Sequence, residues 1–174
     1  MVDPWMLEGL RQPDQRSCGA TCAVTARMLV DPAYAARFVG DQHAFGLEVL
    51  ATHRRLCGWR THESWQAPWP RALGTQPWAL RRDLAHGVGR HYRVTRVGRA
   101  VAESAPGPVA LYVGSRWLPR HVVLVVERDA DTWLVHDPAS GRLVTTALRG
   151  AHPPLGGWTR WWLALTPSAR RTPA

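Results

Sequence analysis

Near Gly89 the apolar residues change their period, from the three-to-four spacing of helices to the two-residue alternation of strands. Before that point, Cys22, Ala26, Leu29 and Val30 form one stripe and predict a helix over 17–30, with Ser17 as N-cap and Asp31-Pro32 as its end. Further helices are predicted over 33–39 and over 46–56, the latter with Val49, Leu50, His53 and Leu56 on one face. The Trp- and Pro-rich stretch 59–70 reads as loop. Thr75 is the expected N-cap of a fourth helix, with Pro77 in its first turn and its end near Gly87 or Gly89. Beyond it, Tyr92 and Val94 alternate with polar neighbours, and Val109–Val113 follows the breaker Pro106-Gly107-Pro108. Val122–Val126 is continuously apolar, as a buried central strand would be, with 133–137 as its hairpin partner. Leu143–Thr146 is the next strand, and 158–165 is expected to close the sheet. Helices followed by strands define an α+β chain, with a helical N-terminal half packed on an antiparallel sheet from the C-terminal half. One domain is expected over 1–166, with a frayed, Pro-containing tail at 167–174.

A formal net charge of +9 raises the question of nucleic acid. Every cationic residue is Arg, while Lys, Asn and Ile are absent, a bias that a GC-rich bacterial genome imposes. The Arg residues are scattered, with clusters no longer than pairs such as Arg54–Arg55 and Arg81–Arg82, which reads as solvated faces and not as a nucleic-acid footprint. Cys18, Cys22 and Cys57 are too few, and odd in number, for a disulfide framework; they fit a reducing compartment. No signal peptide and no membrane-spanning stretch is visible. The expected location is the cytoplasm, or the exterior by a signal-peptide-independent route. Cys and His are dispersed, with no C-x-x-C or H-x-x-x-H pair, so neither a metal nor another cofactor is expected.

A nucleophilic thiol needs a base, a group to orient that base, and donors for an oxyanion. Cys18 stands where a loop becomes a helix, at the positive end of the helix dipole. Gly19 would leave room for a substrate, and the Cys18 N–H is a first-turn donor. Gln12, six positions upstream, could supply a second donor, with Gln15 as its rival. His121 begins the apolar strand and Asp137 ends the next, so a hairpin would bring them together and let the carboxylate fix the imidazole tautomer. Plainer readings exist for each: Cys18 as a small buried hydrophobe, His121 as an ordinary strand residue, Asp137 as the opener of an Asp-Pro turn. Cys22 reads as core and Cys57 as core or surface thiol. His136 points to the opposite strand face from Asp137 and reads as structural. Trp residues within 65–78 are candidates for a cleft wall.

The segment from Gln12 to Cys22, QPDQRSCGATC, resembles the active-site segment of the C39-like branch of papain-like cysteine peptidases, where a Gln precedes a Cys-Gly pair by six positions. Arg120–Val126 is similar to that family's His strand, and Trp133–Gly141, WLVHDPASG, to its Asp-Pro segment. Pro108–Val113 resembles the strand before the His. The likeness spans about 12–146. It implies a papain-like fold in which Cys18 is the nucleophile, His121 the base, Asp137 its partner and Gln12 an oxyanion-hole residue. The implied activity is hydrolysis of a peptide or isopeptide bond in a peptide or protein substrate. Phytochelatin-synthase-like proteins share this logic and transfer acyl groups, so acyl transfer or deamidation by the same triad stays open, as does a non-catalytic binding module.

Overall fold

The computed structural model describes residues 2–97, 101, 104–129, 131–147 and 153–171. Helices α1 (Cys18–Val30), α2 (Pro32–Ala35), α3 (Gln42–Cys57) and α4 (Pro77–Val88) fill the first half. A small hairpin, β1 (Arg60–Thr61) and β2 (Ser64–Trp65), interrupts them. Strands β3 (Arg90–Thr95), β4 (Val109–Gly114), β5 (Pro119–Arg128), β6 (Thr132–Asp137), β7 (Arg142–Ala147) and β8 (Arg160–Arg171) form one antiparallel sheet of order β3-β8-β4-β5-β6-β7. This is the expected α+β arrangement. No helix among the described residues is long and apolar enough to cross a membrane.

The central strands are covered on both faces, which is why they read as continuous apolar runs. Ala110 and Tyr112 of β4 and Val122, Leu124 and Val126 of β5 face the helices. Val109, Leu111, Val113, Val123 and Val125 face the other way, onto Trp133, Leu155 and Trp161. Helix α1 lies in the middle of the helical layer, with eleven of its thirteen residues buried. It is rich in Ala, Gly, Thr and Cys, so α2, α3, α4 and β5 can all approach it closely.

Several boundaries differ from the expectation, each for a local reason. Helix α3 begins four residues early, at Gln42, because Asp41 caps it by accepting the Ala44 N–H at 2.8 Å. Helix α2 is a single turn opened by Asp31 and Pro32 and does not reach Val39. Thr75 is not the cap of α4. Pro77 takes the first helical position and leaves Gln76 as N-cap, while Thr75 is buried and its carbonyl accepts the Tyr112 hydroxyl at 2.9 Å. Gly89 ends α4 in the left-handed conformation, as expected. The stretch 59–70 is not all loop, since it holds β1 and β2. Strand β8 does not close the sheet at an edge but lies between β3 and β4. Nor does the chain fray at Pro167: β8 runs on to Arg171, pairing Pro167 with Tyr92 and Arg171 with Arg90, and Ser168 is buried.

Two substitutions test this layering. Leu124→Ala, at a fully buried site on β5, is expected to cost about 2–5 kcal/mol in urea denaturation. Val144→Ala, half exposed on the edge strand β7, is expected to cost less than about 1 kcal/mol by the same measurement.

Candidate active site

The loop before α1 is held by Asp14, whose Oδ1 accepts the N–H groups of Arg16 and Ser17 at 2.9 and 2.8 Å. Ser17 sits at the N-cap but makes no capping bond with its side chain; its carbonyl instead takes both the N–H and the hydroxyl of Thr21. Cys18 is thus the first residue of a buried helix. Gly19, expected to leave room for a substrate, serves packing. A Cβ there would lie 2.7 Å from the Cβ of Thr75, so its smallness lets the start of α4 pack onto α1.

His121 and Asp137 come together through the register of β5 and β6. Leu124 pairs with His136 and Val125 with Val135. Continuing that ladder puts Asp137 opposite Val123, so His121 is its diagonal neighbour on the same sheet face. The His121 Nε2–H donates to Asp137 Oδ1 at 2.7 Å. Cys18 lines one cavity with the same ring, and with Nε2 engaged by Asp137, Nδ1 is the ring nitrogen left for the thiol. Cys18 and His121 are each 7% exposed. The structure therefore brings Cys18 beside a bonded His121–Asp137 pair. His136, on the other face, donates from Nε2 to the Leu10 carbonyl at 2.9 Å and is fully buried.

Burial alone would lower the His121 pKa, but the hydrogen bond to Asp137 and the neighbouring Cys18 outweigh it and raise it to about 9. Burial likewise pushes Asp137 up, yet bonds from His121, from the Ser140 hydroxyl at 2.8 Å and from the Ala139 N–H at 3.1 Å hold it at about 2. The carboxylate is thus fixed on three sides. The turn that carries it is stitched to the N-terminal segment: Gly9 N–H donates to Gly141 O and Gln12 N–H to Pro138 O, both at 2.8 Å.

Gln12 reaches the neighbourhood of Asp137 through its backbone, while its side-chain amide donates to Asp14 O at 2.7 Å. Gln15 is exposed. Beside Cys18 and His121 opens a cavity of about 200 Å³ with walls that include Trp69, Tyr112, Arg120 and Leu163. Of the Trp candidates in 65–78, only Trp69 lines it; Trp78 packs edge-on against Trp69, and Trp65 is exposed beneath Arg60. Cys22 and Cys57 are both buried, donating to Val122 O and Gly74 O at 3.6 Å.

One site residue had no counterpart among the motifs. Gly156, with φ +55°, lies against the His121 ring, where a Cβ would fall 2.7 Å from Cδ2. The only signal for it was the Gly156-Gly157 pair, which marks a turn. A second ionisable cluster, in which Asp83 accepts from Arg55 at 2.8 Å and His62 at 2.9 Å, lies between α3 and α4 away from Cys18. Among the described residues no group of three or more His, Cys, Asp and Glu is placed to hold a metal ion.

No family model matches the sequence, and no curated protein matches it either. Among solved structures, the chain is similar to the peptidase domain of Streptococcus ComA, a bi-functional ABC transporter involved in a quorum-sensing pathway. That likeness is 15% identical, covers 92% of this chain and 97% of that one, and has a TM-score of 0.52. A double-glycine-motif protease from an AMS/PCAT transporter, solved with its leader peptide, is also 15% identical, with 91% and 89% covered and a TM-score of 0.52. The fold is the papain-like fold of C39-type cysteine peptidase domains.

The geometry makes two expectations. An NMR titration of His121 should have its midpoint near pH 9, and Asp137→Asn should move it down, because the imidazolium loses its anionic acceptor. Gly156→Ala should displace the ring, seen in its nitrogen chemical shifts, and cost roughly 1–2 kcal/mol of stability from the positive φ alone.

Proposed function

We propose that the protein is a cysteine peptidase-like hydrolase that cleaves a peptide or isopeptide bond. The observation that carries this reading is the Cys18 thiol beside the His121 ring in one cavity, with that ring bonded to the Asp137 carboxylate. The fold shared with two peptidase domains supports it.

In this reading His121, made a strong base by Asp137, takes the Cys18 proton at Nδ1, and the sulfur attacks the substrate carbonyl. The negative charge that develops on oxygen is met by the Cys18 N–H at the free end of α1 and by the second amide hydrogen of Gln12, whose first is spent on Asp14. The imidazolium then protonates the leaving amine, and an acyl-thioester on Cys18 remains. Water, deprotonated by His121, hydrolyses it and restores the thiol. Asp137 stays ionised throughout and holds the ring in the tautomer that presents Nδ1 to sulfur. The substrate is a peptide or protein, as the leader-bound neighbour suggests by analogy. Three unbridged thiols fit work in a reducing compartment.

The test is turnover of a peptide substrate. Cys18→Ala should abolish it while leaving the thermal transition nearly unchanged. Gln12→Ala should lower the rate roughly 10²–10³-fold, the scale of one lost oxyanion donor. Gln15→Ala should be silent. Normal rates in Gln12→Ala with a crippled Gln15→Ala would transfer the oxyanion role to Gln15, and full activity in Cys18→Ala would end the hydrolase reading.

A further inference from the structure

The turn between β4 and β5, Gly114–Pro119, leads directly into the site: Pro119 and Arg120 line the same cavity as Cys18 and His121. It is tightly built. A Cβ on Gly114 would run into the Leu118 carbonyl and lie 2.7 Å from the Arg120 nitrogen. Ser115 Oγ accepts the N–H groups of Trp117 and Leu118 at 3.2 and 3.3 Å, and the Trp162 indole N–H donates to Ser115 O at 3.0 Å. This framework holds Trp117 and Leu118 out in solvent, 70% and 52% exposed. Around them stand Arg116, stacked over Trp117 at 4.4 Å, Arg160, over Trp162 at 5.7 Å, and Arg120. All three arginines are exposed and none has a carboxylate partner among the described residues. No Asp or Glu occurs anywhere in 114–126 or 153–171.

A rigid turn that displays two large apolar side chains inside a group of unpaired cations is complementary to one kind of chain. We propose that this turn is the docking subsite for the substrate, and that it takes a peptide segment in which carboxylates flank a large apolar side chain. The inference rests on the hydrolase reading and names the substrate class for it. A peptide is favoured because the turn opens into the cavity beside Cys18, so a chain held here continues to the thiol. A nucleic acid would stack bases on Trp117, but Arg116 already covers a face of that ring. The apolar tip is two residues wide, small for a lipid surface.

The experiment selects binders from a phage-displayed random dodecapeptide library on the full chain carrying Cys18→Ala. Selected peptides should be enriched in Asp and Glu beside Trp, Phe or Leu. Their binding should weaken with salt, and by about three- to fivefold for each of Arg116→Ala and Arg160→Ala, the scale of an exposed ion pair. Trp117→Ala should weaken it about tenfold or more. Glu→Gln replacement in the peptide reads the same contacts on an unaltered turn, so a misfolded variant cannot decide the result. Enrichment without acidic residues, or indifference to the Glu→Gln change, overturns the proposal. So does binding of phosphatidylserine vesicles or oligo-dT through the same three residues when no peptide is selected. Cleavage of a selected peptide by the unmodified protein is the separate readout. A peptide bound through Arg116, Arg160 and Trp117 but left uncut counts against the hydrolase reading alone. Cleavage that ignores these residues overturns the docking proposal alone.

Discussion

Helix α1 lies directly on strand β5, and the position of nearly everything else at the site follows from that contact. Cys22 donates its thiol hydrogen to the Val122 carbonyl. Cys18 is one helical turn before Cys22, and His121 is one residue before Val122. Anchoring the second pair brings the first pair together, because a helical turn advances only about 5.4 Å. So close an approach requires a helix of small residues on every side, and Gly19, Ala20, Cys22, Ala23 and Ala26 meet that need. At Gly19 even a Cβ would lie 2.7 Å from Thr75, just before α4.

The second constraint is the fixing of the Asp137 turn. Hydrogen bonds from His121, Ala139 and Ser140 surround the carboxylate, and the N-terminal segment crosses the turn through Gly9 and Gln12. Partial burial pushes the Asp137 pKa up; these donors hold it down, and the carboxylate's charge in turn keeps the neighbouring imidazole basic. The same segment leads on through Asp14 to Cys18, so one stretch of chain positions both Cys18 and the Asp137 turn. Gly156 lies against the His121 ring.

The positive charge of the chain divides into two parts with different physics. Some arginines are internal fasteners. Arg55 pairs with the buried Asp83, and Arg128 donates to the carbonyls of Ala105 and Gly107 and so ties down the loop before β4. Others, Arg116, Arg120 and Arg160 among them, are exposed and have no carboxylate partner among the described residues. Composition cannot separate the two sets, because the residue type is the same and only the neighbours differ.

Much of the fold was legible in the sequence because it depends on local chemistry. The change of period near Gly89, the breaker at 106–108 and the left-handed stop at Gly89 act over a few residues, and they placed α1, α4 and strands β3 to β7 near their observed positions. Cys18, His121 and Asp137 were identifiable because each sits at or near an element boundary, where a side chain is held yet meets a cleft. What failed locally did so through distant contacts. Thr75 was drawn off the cap by Gly19 and Tyr112. Pro167 was kept in a strand by pairing with Tyr92. Gly19 turned out to serve helix packing. Gly156 could not be read at all, since nothing near it in the chain reveals that His121 lies against it. The sequence by itself determined which elements form and which side chains carry the chemistry, since propensity, capping and side-chain type are local properties. Only the tertiary structure decided the order of the strands, the neighbours of each glycine and which arginines pair with a carboxylate, because those depend on contacts between residues far apart in the chain.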